Sequence, residues 1–241
     1  MYAYIKHAGD IFVASISIIL LLALFFFVAV IIKIDSKGPI LFKQQRYGSN
    51  RRPFTIYKFR TMAVEAPDNC ATGDLNKASS YITRSGKILR KLSIDELPQL
   101  INVLKGEMSL IGPRPVILRE TDLINEREKY NANKCLPGIT GWAQANGRDE
   151  ISLSEKARLD GEYADNIGLM MDIRCILKTI ETLIYAKGYR EGSPILVAPS
   201  VLPQGQVFYA RVQSTTKISS RSIRRRPAVS EVVNTKNSLD I

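Results

Sequence analysis

The sequence predicts an α+β, mostly helical chain in three parts. A membrane-embedded helix fills residues 1–36. A helix-rich cytoplasmic domain with a small β-hairpin, lying on the membrane surface, fills 37–190, and a flexible basic tail fills 191–241. Three observations predict this. The stretch from Ile11 to Ile32 contains only Ser15 and Ser17 as polar residues and has no Pro, Gly or charge. Two short runs rich in β-branched and aromatic residues follow it, and after them the apolar spacing turns helical.

At about 1.5 Å per residue the apolar stretch reaches about 33 Å, close to the hydrocarbon thickness of a bilayer at about 30 Å. A cleaved signal peptide has a shorter apolar core and a small-residue cleavage site. Here the run ends in Lys33-Ile-Asp-Ser-Lys37-Gly-Pro39, so retention is expected. Between residues 33 and 62 every charged residue except Asp35 is basic, whereas Lys6 and His7 are the only basic residues ahead of the run. The positive-inside rule therefore puts everything after residue 33 in the cytoplasm. Lys6 and Asp10 stand at helical spacing at the mouth of the run, ready to pair near a headgroup surface. A spanning helix and a re-entrant one remain open on these residues.

Pro39–Arg46 and Pro53–Phe59 flank the turn-rich Tyr47–Arg52 and read as the hairpin. Residues 64–81 read as a polar loop. Helical spacing begins after Ile82, first over Gly86–Arg90. It continues from Ser93 to Leu104, where Ser93 and Glu96 have capping-box spacing and Gly106 marks the end. Pro98 within that segment forfeits a backbone hydrogen bond and bends the first turn. Residues 116–131, 151–164 and 169–186 read as further helices, the last amphipathic. Pro137–Arg148 is glycine-rich and reads as a loop with strand character. Pro194, Pro199 and Pro203 open the tail, whose Arg224-Arg225-Arg226 cluster lacks interleaved aromatics. It therefore reads as a solvated terminus rather than a nucleic-acid patch.

The 241 residues carry a net charge of +11. The excess lies next to the membrane segment and in the tail, while the body between is close to neutral. Three cysteines in no metal-binding or paired spacing argue against a disulfide framework and a zinc site, and fit a reducing compartment. There is no Walker A loop and no dinucleotide-binding glycine fingerprint. His7, the single histidine, stands beside the membrane segment, so acid, base or nucleophilic work falls to carboxylates, Tyr, Lys or Cys.

Asp95 and Glu96 are the most informative pair. A helix start favours negative charge, so the bland reading is a cap and a dipole partner. Against it, the surrounding sequence carries Lys58, Arg60, Arg84, Lys87, Arg90, Lys91 and Arg114. Cations around adjacent carboxylates suit a polyphosphate handled with a divalent metal, since Mg²⁺ is commonly held by one or two carboxylates together with substrate phosphates. Pro113 and Pro115 fix the backbone around Arg114, whose guanidinium suits a bidentate grip on phosphate. Arg148 invites the same reading, and Asp172 is a further candidate acid.

Taken together, these strings resemble the bacterial monotopic phosphoglycosyl transferases, or bacterial sugar transferase family. The matching strings are Lys6-x3-Asp10, Ile34–Pro39, Phe42–Gly48, Phe54–Met62, Ile82–Lys91, Ser93–Leu100, Asn102–Pro115, Pro137–Trp142 with Asn146–Arg148, and Asp172 with Lys178-Thr179. They cover roughly residues 5–190 in order. The resemblance implies an enzyme of the bacterial inner membrane with its catalytic domain facing the cytoplasm. It would move a phosphosugar from a UDP-sugar to polyprenyl (undecaprenyl) phosphate and release UMP. That is the first membrane step of a glycoconjugate pathway, feeding downstream glycosyltransferases.

By the same resemblance Asp95 is the nucleophile, forming an aspartyl-phosphosugar, and Glu96 helps hold Mg²⁺. Arg114, Lys58, Arg60, Arg90 and Arg148 are the candidate phosphate-binding residues. The resemblance further implies a re-entrant anchor kinked at a Ser-Pro pair, where this chain has Leu22-Ala23. The rival readings are a non-catalytic, membrane-anchored basic module that binds lipid or polymer, and a phosphatase or nucleotidyl enzyme using the same Asp. Retention of the dyad and of Arg114 weighs against the first, and the nature of the released product separates the second.

Overall fold

The structure is a computed structural model that describes residues 2–66, 81–147 and 151–184. Helix α1 runs from Tyr2 to Asp35, 34 residues, without interruption across Leu22-Ala23. The break that the resemblance implied is therefore absent, in keeping with a sequence that offers no Pro or Gly there.

One face of α1 packs along the folded body. Ala14 is buried among Phe54, Ile56, Leu100, Val103 and Met108, with Ile18 and Leu21 beside it. Val28 and Ile32 are buried with Phe59 and Leu89, joined by Leu24 and Phe25. The Phe25 and Phe59 rings meet edge to face at 5.5 Å. Tyr2, Lys6 and Asp10 continue the same stripe toward the N-terminus, through the polar contacts described below. The outer face shows Ile5, Phe12, Ile19, Leu20, Phe26 and Ile34, all exposed. A helix that is apolar all round belongs in wholly apolar surroundings, and the folded body covers only one stripe of it, with Ala14, Val28 and Ile32 buried.

Strands β1 (Leu41–Tyr47) and β2 (Pro53–Phe59) form the expected antiparallel hairpin. A short strand, β4 (Val116–Ile117), adds to the free edge of β1. On β2, Phe54 and Ile56 turn one face into the core under α1, and period two puts Lys58 on that same face.

Helix α2 (Arg84–Lys91) is capped by the Thr83 hydroxyl, which accepts from the Gly86 amide. The segment read as one helix from Ser93 is two: a 3₁₀ helix over Ile94–Gln99 and α3 over Leu100–Leu104. Pro98, buried in the 3₁₀ stretch, has no N–H for the α pattern, which accounts for the tighter winding. The capping box is not formed. Ser93 takes left-handed backbone angles (φ 55) and its side chain caps nothing, which frees Glu96 for other partners.

The charged segment after residue 116 is β4 followed by α4 (Thr121–Glu128). The glycine-rich stretch is also more ordered than its composition suggests. Strand β5 (Gly138–Thr140) pairs in parallel with β3 (Ser109–Ile111), and α5 (Trp142–Gly147) follows directly. A Cβ on Gly138 or Gly141 would collide with the backbone of Gly112, so these glycines allow close approach of two chains rather than a loose loop. Helices α6 (Leu153–Asp165), capped by Ser152, and α7 (Leu169–Ile184) complete the described chain. The expected loop centre, Arg148 and the 191–241 tail lie outside the described residues.

Candidate active site

The 3₁₀ helix holding Asp95 and Glu96 lies against β2. It is held in register by a residue that the charge pattern does not single out, Asn102 of α3. Its Nδ2 donates to Thr55 O at 2.7 Å, and its Oδ1 accepts from Tyr57 N at 3.1 Å. Nδ2 also donates to Glu107 Oε2 at 2.7 Å. The fully buried amide thus satisfies the edge of β2 as a neighbouring strand would. Its sequence signal is slight: one polar residue between Ile101 and Val103 on an otherwise apolar helix.

With that register set, Lys58 on β2 reaches Glu96. Lys58 Nζ donates to Glu96 Oε1 at 2.7 Å, and Arg114 Nη2 donates to the same oxygen at 3.1 Å. Glu96 is largely enclosed, whereas the Arg114 side chain is 47% exposed, so the group opens to solvent on the arginine side. Burial disfavours the Glu96 carboxylate, but Lys58 and then Arg114 outweigh it and hold the group well below the usual carboxylate range. Asp95 has the opposite balance. Burial pushes it up to about 6 against the pull of Lys58, with Glu96 pushing the same way and Arg90 and Arg114 opposing. Adjacent carboxylates with their acidities pushed apart are a common mark of divided chemical roles.

Of the candidates, Lys58, Arg90, Asp95, Glu96 and Arg114 are therefore brought together. Arg60 is not free for this task. Its Nη2 donates to Ser36 O and Ser36 Oγ, both at 2.8 Å, and its Nη1 to Lys37 O, so the buried guanidinium ties down the chain at the end of α1. Asp172 is likewise drawn elsewhere. Lys6 Nζ lies 2.9 Å from Asp172 Oδ2 and 3.5 Å from Asp10 Oδ2. The hydroxyls of Tyr2 and Tyr163 reach the two Asp172 oxygens at 2.7 and 2.8 Å, and Ser109 Oγ donates to Asp10 Oδ2. The Lys6/Asp10 pair expected at helical spacing is formed. Its larger role is to fasten the start of α1 to β3 and α7, burying charge that only this pairing makes tolerable.

The family model for bacterial sugar transferases matches residues 1–186 of the chain. The chain belongs to the bacterial sugar transferase family. It is 41% identical to the uncharacterized sugar transferase EpsL of Bacillus subtilis (strain 168) over 165 residues, 68% of this chain and 80% of that one. It is 42% identical to the undecaprenyl-phosphate glucose phosphotransferase of Komagataeibacter xylinus over 192 residues, 76% of this chain but 36% of the longer relative. A third relative is the UDP-N-acetylgalactosamine-undecaprenyl-phosphate N-acetylgalactosaminephosphotransferase of Aeromonas hydrophila, 40% identical over 199 residues, 79% of this chain and 46% of that protein. As a sugar transferase the chain is an enzyme, of the phosphoglycosyl transferase type. Of the strings that carried the resemblance in the sequence, Phe54–Met62, Ser93–Leu100 and Asn102–Pro115 supply Lys58, Asp95, Glu96 and Arg114 to this site, whereas Lys6, Asp10 and Asp172 join one another away from it.

A divalent cation suits this donor set. Glu96 is held ionised, and both of its cationic partners fall on Oε1, while Oε2 accepts no hydrogen bond among the described residues. No cluster of three or more His, Cys, Asp or Glu occurs among the described residues, so a cation here would complete its shell with substrate oxygens, as Mg²⁺ commonly does.

Proposed function

We propose that the protein transfers a sugar phosphate from a UDP-sugar to undecaprenyl phosphate with release of UMP, through a covalent intermediate on Asp95. The observation that supports this most directly is the convergence of Lys58 and Arg114 on Glu96 beside an Asp95 of raised pKa. Once ionised, an Asp95 oxygen attacks the sugar-bearing phosphorus. The bond from that phosphorus to the bridging oxygen breaks, and UMP leaves with the electron pair. A phosphate oxygen of the lipid then attacks the same phosphorus, the Asp95–phosphorus bond breaks, and the carboxylate is restored. Arg114 and Arg90 would offset charge on the phosphoryl oxygens, the main task in phosphoryl transfer. Glu96, with Asp95 beside it, would hold Mg²⁺, which when bound neutralises diphosphate charge as UMP departs.

The way α1 is fastened bears on the membrane arrangement. Its N-terminal end is fastened through Lys6 and Tyr2 to Asp172, and its C-terminal end through Asp35, whose Oδ2 accepts from the Ser85 amide and hydroxyl at 2.9 and 2.7 Å. Both ends thus contact one folded body. That supports a helix embedded in one leaflet, with its outer apolar face in lipid, the active site facing the cytoplasm, and entry and exit on the same side. The lipid acceptor then meets the site at the surface where it resides. Measuring UMP release across a panel of UDP-sugars, with undecaprenyl phosphate and Mg²⁺ present, tests the reading. Release of UDP or inorganic phosphate instead of UMP contradicts it.

A further inference from the structure

Arg114 is presented from a loop whose backbone is held at three consecutive carbonyls. Pro113 O accepts from the Gly138 amide at 2.9 Å. Arg114 O accepts from Arg127 Nη1 at 3.1 Å. Pro115 O accepts from Arg46 Nη1 at 3.3 Å. Pro113 and Pro115 have no N–H and a fixed φ, so the loop is held largely through acceptors, and these three carbonyls each find a donor.

Two of the three donors are guanidinium groups, an expensive way to satisfy a carbonyl. Arg127, on α4, is almost fully buried and needs a counter-charge. Asp160 on α6 provides it, with Oδ2 at 2.8 Å from Nε and 2.6 Å from Nη2. Simple burial of apolar side chains would stabilise the α4–α6 contact at least as well as a buried ion pair does. What the ion pair adds is a rigid planar fork with one nitrogen left to aim at Arg114 O. Arg46 on β1 is oriented in the same manner by Gln44, whose Oε1 accepts from Nη2 at 2.6 Å.

We infer that Arg127, with Asp160 as its counter-ion, and Arg46 are positioning residues that set the place of the Arg114 guanidinium relative to Glu96 and the transferring phosphoryl group. This rests on the site reading given above. It adds that a part of the α4–α6 interior with no contact to substrate acts on turnover through a single backbone loop. An error of about 1 Å in a charge-stabilising group can lower turnover up to about 100-fold.

The test is a set of variants assayed for UMP release with full-length protein in lipid nanodiscs containing undecaprenyl phosphate. Arg127→Gln and Asp160→Asn are introduced together, so that no unpaired charge is left buried, and Arg46→Gln separately. Each change is made in the wild type and in an Arg114→Ala background, with thermal unfolding followed in parallel. The inference predicts that kcat falls about tenfold for the Arg127/Asp160 double variant, with KM for the UDP-sugar changed less, and that the same substitutions have no further effect once Arg114 is Ala. Arg46→Gln is expected to act in the same direction and to lose its effect in the same background. An equal fall in both backgrounds, or unchanged turnover in the wild-type background, overturns the inference while leaving the site reading intact. Full turnover by Arg114→Ala alone overturns the role given to Arg114, and the inference with it.

Discussion

Lys58 Nζ and Glu96 Oε1 lie 2.7 Å apart although 38 positions separate the two residues in the chain. This contact joins the β-hairpin to the 3₁₀ helix at the point where the carboxylates are displayed. Removing the ammonium leaves Glu96 with Arg114 as its remaining cationic partner among the contacts described. Lys58→Ala is predicted to lower kcat/KM for UMP release about 100-fold, and Lys58→Arg to recover part of the loss because it keeps the charge. Steady-state assays of the two variants check this, and wild-type activity in Lys58→Ala would remove Lys58 from the site.

Asp95 gives a pH signature. With its pKa raised to about 6, attack by the ionised carboxylate requires kcat/KM to climb as pH passes upward through about 6. The stability effect has the opposite sense. An acid whose folded pKa lies above its unfolded value favours the folded state below the unfolded pKa, and loses that advantage as pH rises through the folded one. Asp95→Asn should therefore be inactive yet more stable than the wild type at pH 8, by on the order of 1–3 kcal/mol. Denaturant titrations at pH 5 and pH 8 measure it. A variant less stable at pH 8 would show that burial does not strain this carboxylate.

Asn102 is predicted to matter to stability more than to chemistry. Asn102→Ala leaves the Tyr57 amide and the Thr55 carbonyl without their partner, at a cost of about 2–3 kcal/mol, read as a shifted denaturation midpoint. An unchanged midpoint would mean that the hairpin and α3 are held in register by apolar contacts alone.

The placement of α1 can be tested by labelling. Tyr4 and Lys37 flank the apolar stretch, and single cysteines placed there, in a chain otherwise free of cysteine, should both react with an impermeant maleimide from the cytoplasmic side of inverted vesicles. Reaction of the Tyr4 position from the opposite side only would show a spanning helix and contradict the fastening of both its ends to one body.

These relationships also show what could be read in the sequence. The hairpin was legible because Pro39–Arg46 and Pro53–Phe59 have a local pattern and a turn between them. The Lys6/Asp10 pair was legible because both lie on one helix. Asp95 and Glu96 stood out through charge. Their geometry did not: Ser93 has capping-box spacing with Glu96, but Lys58 and Arg114 compete for that carboxylate, and neither is near it in sequence. For the same reason, spacing does not show the partners that Arg60 and Asp172 take. Each is a charged residue whose partner, at the end or the start of α1, is set by packing rather than by spacing. The glycines at 138 and 141 looked like loop residues because close backbone approach and backbone freedom call for the same residue type.

Everything proposed for catalysis turns on Asp95 carrying the sugar phosphate. The most direct measurement is intact-protein and peptide mass spectrometry after incubation with the UDP-sugar and Mg²⁺ in the absence of undecaprenyl phosphate. One sugar-phosphate adduct is expected on the peptide containing Asp95, with UMP equal to the adduct formed and loss of the adduct on adding the lipid acceptor. UMP release that requires the lipid and leaves no adduct, or continued turnover by Asp95→Asn, would contradict this.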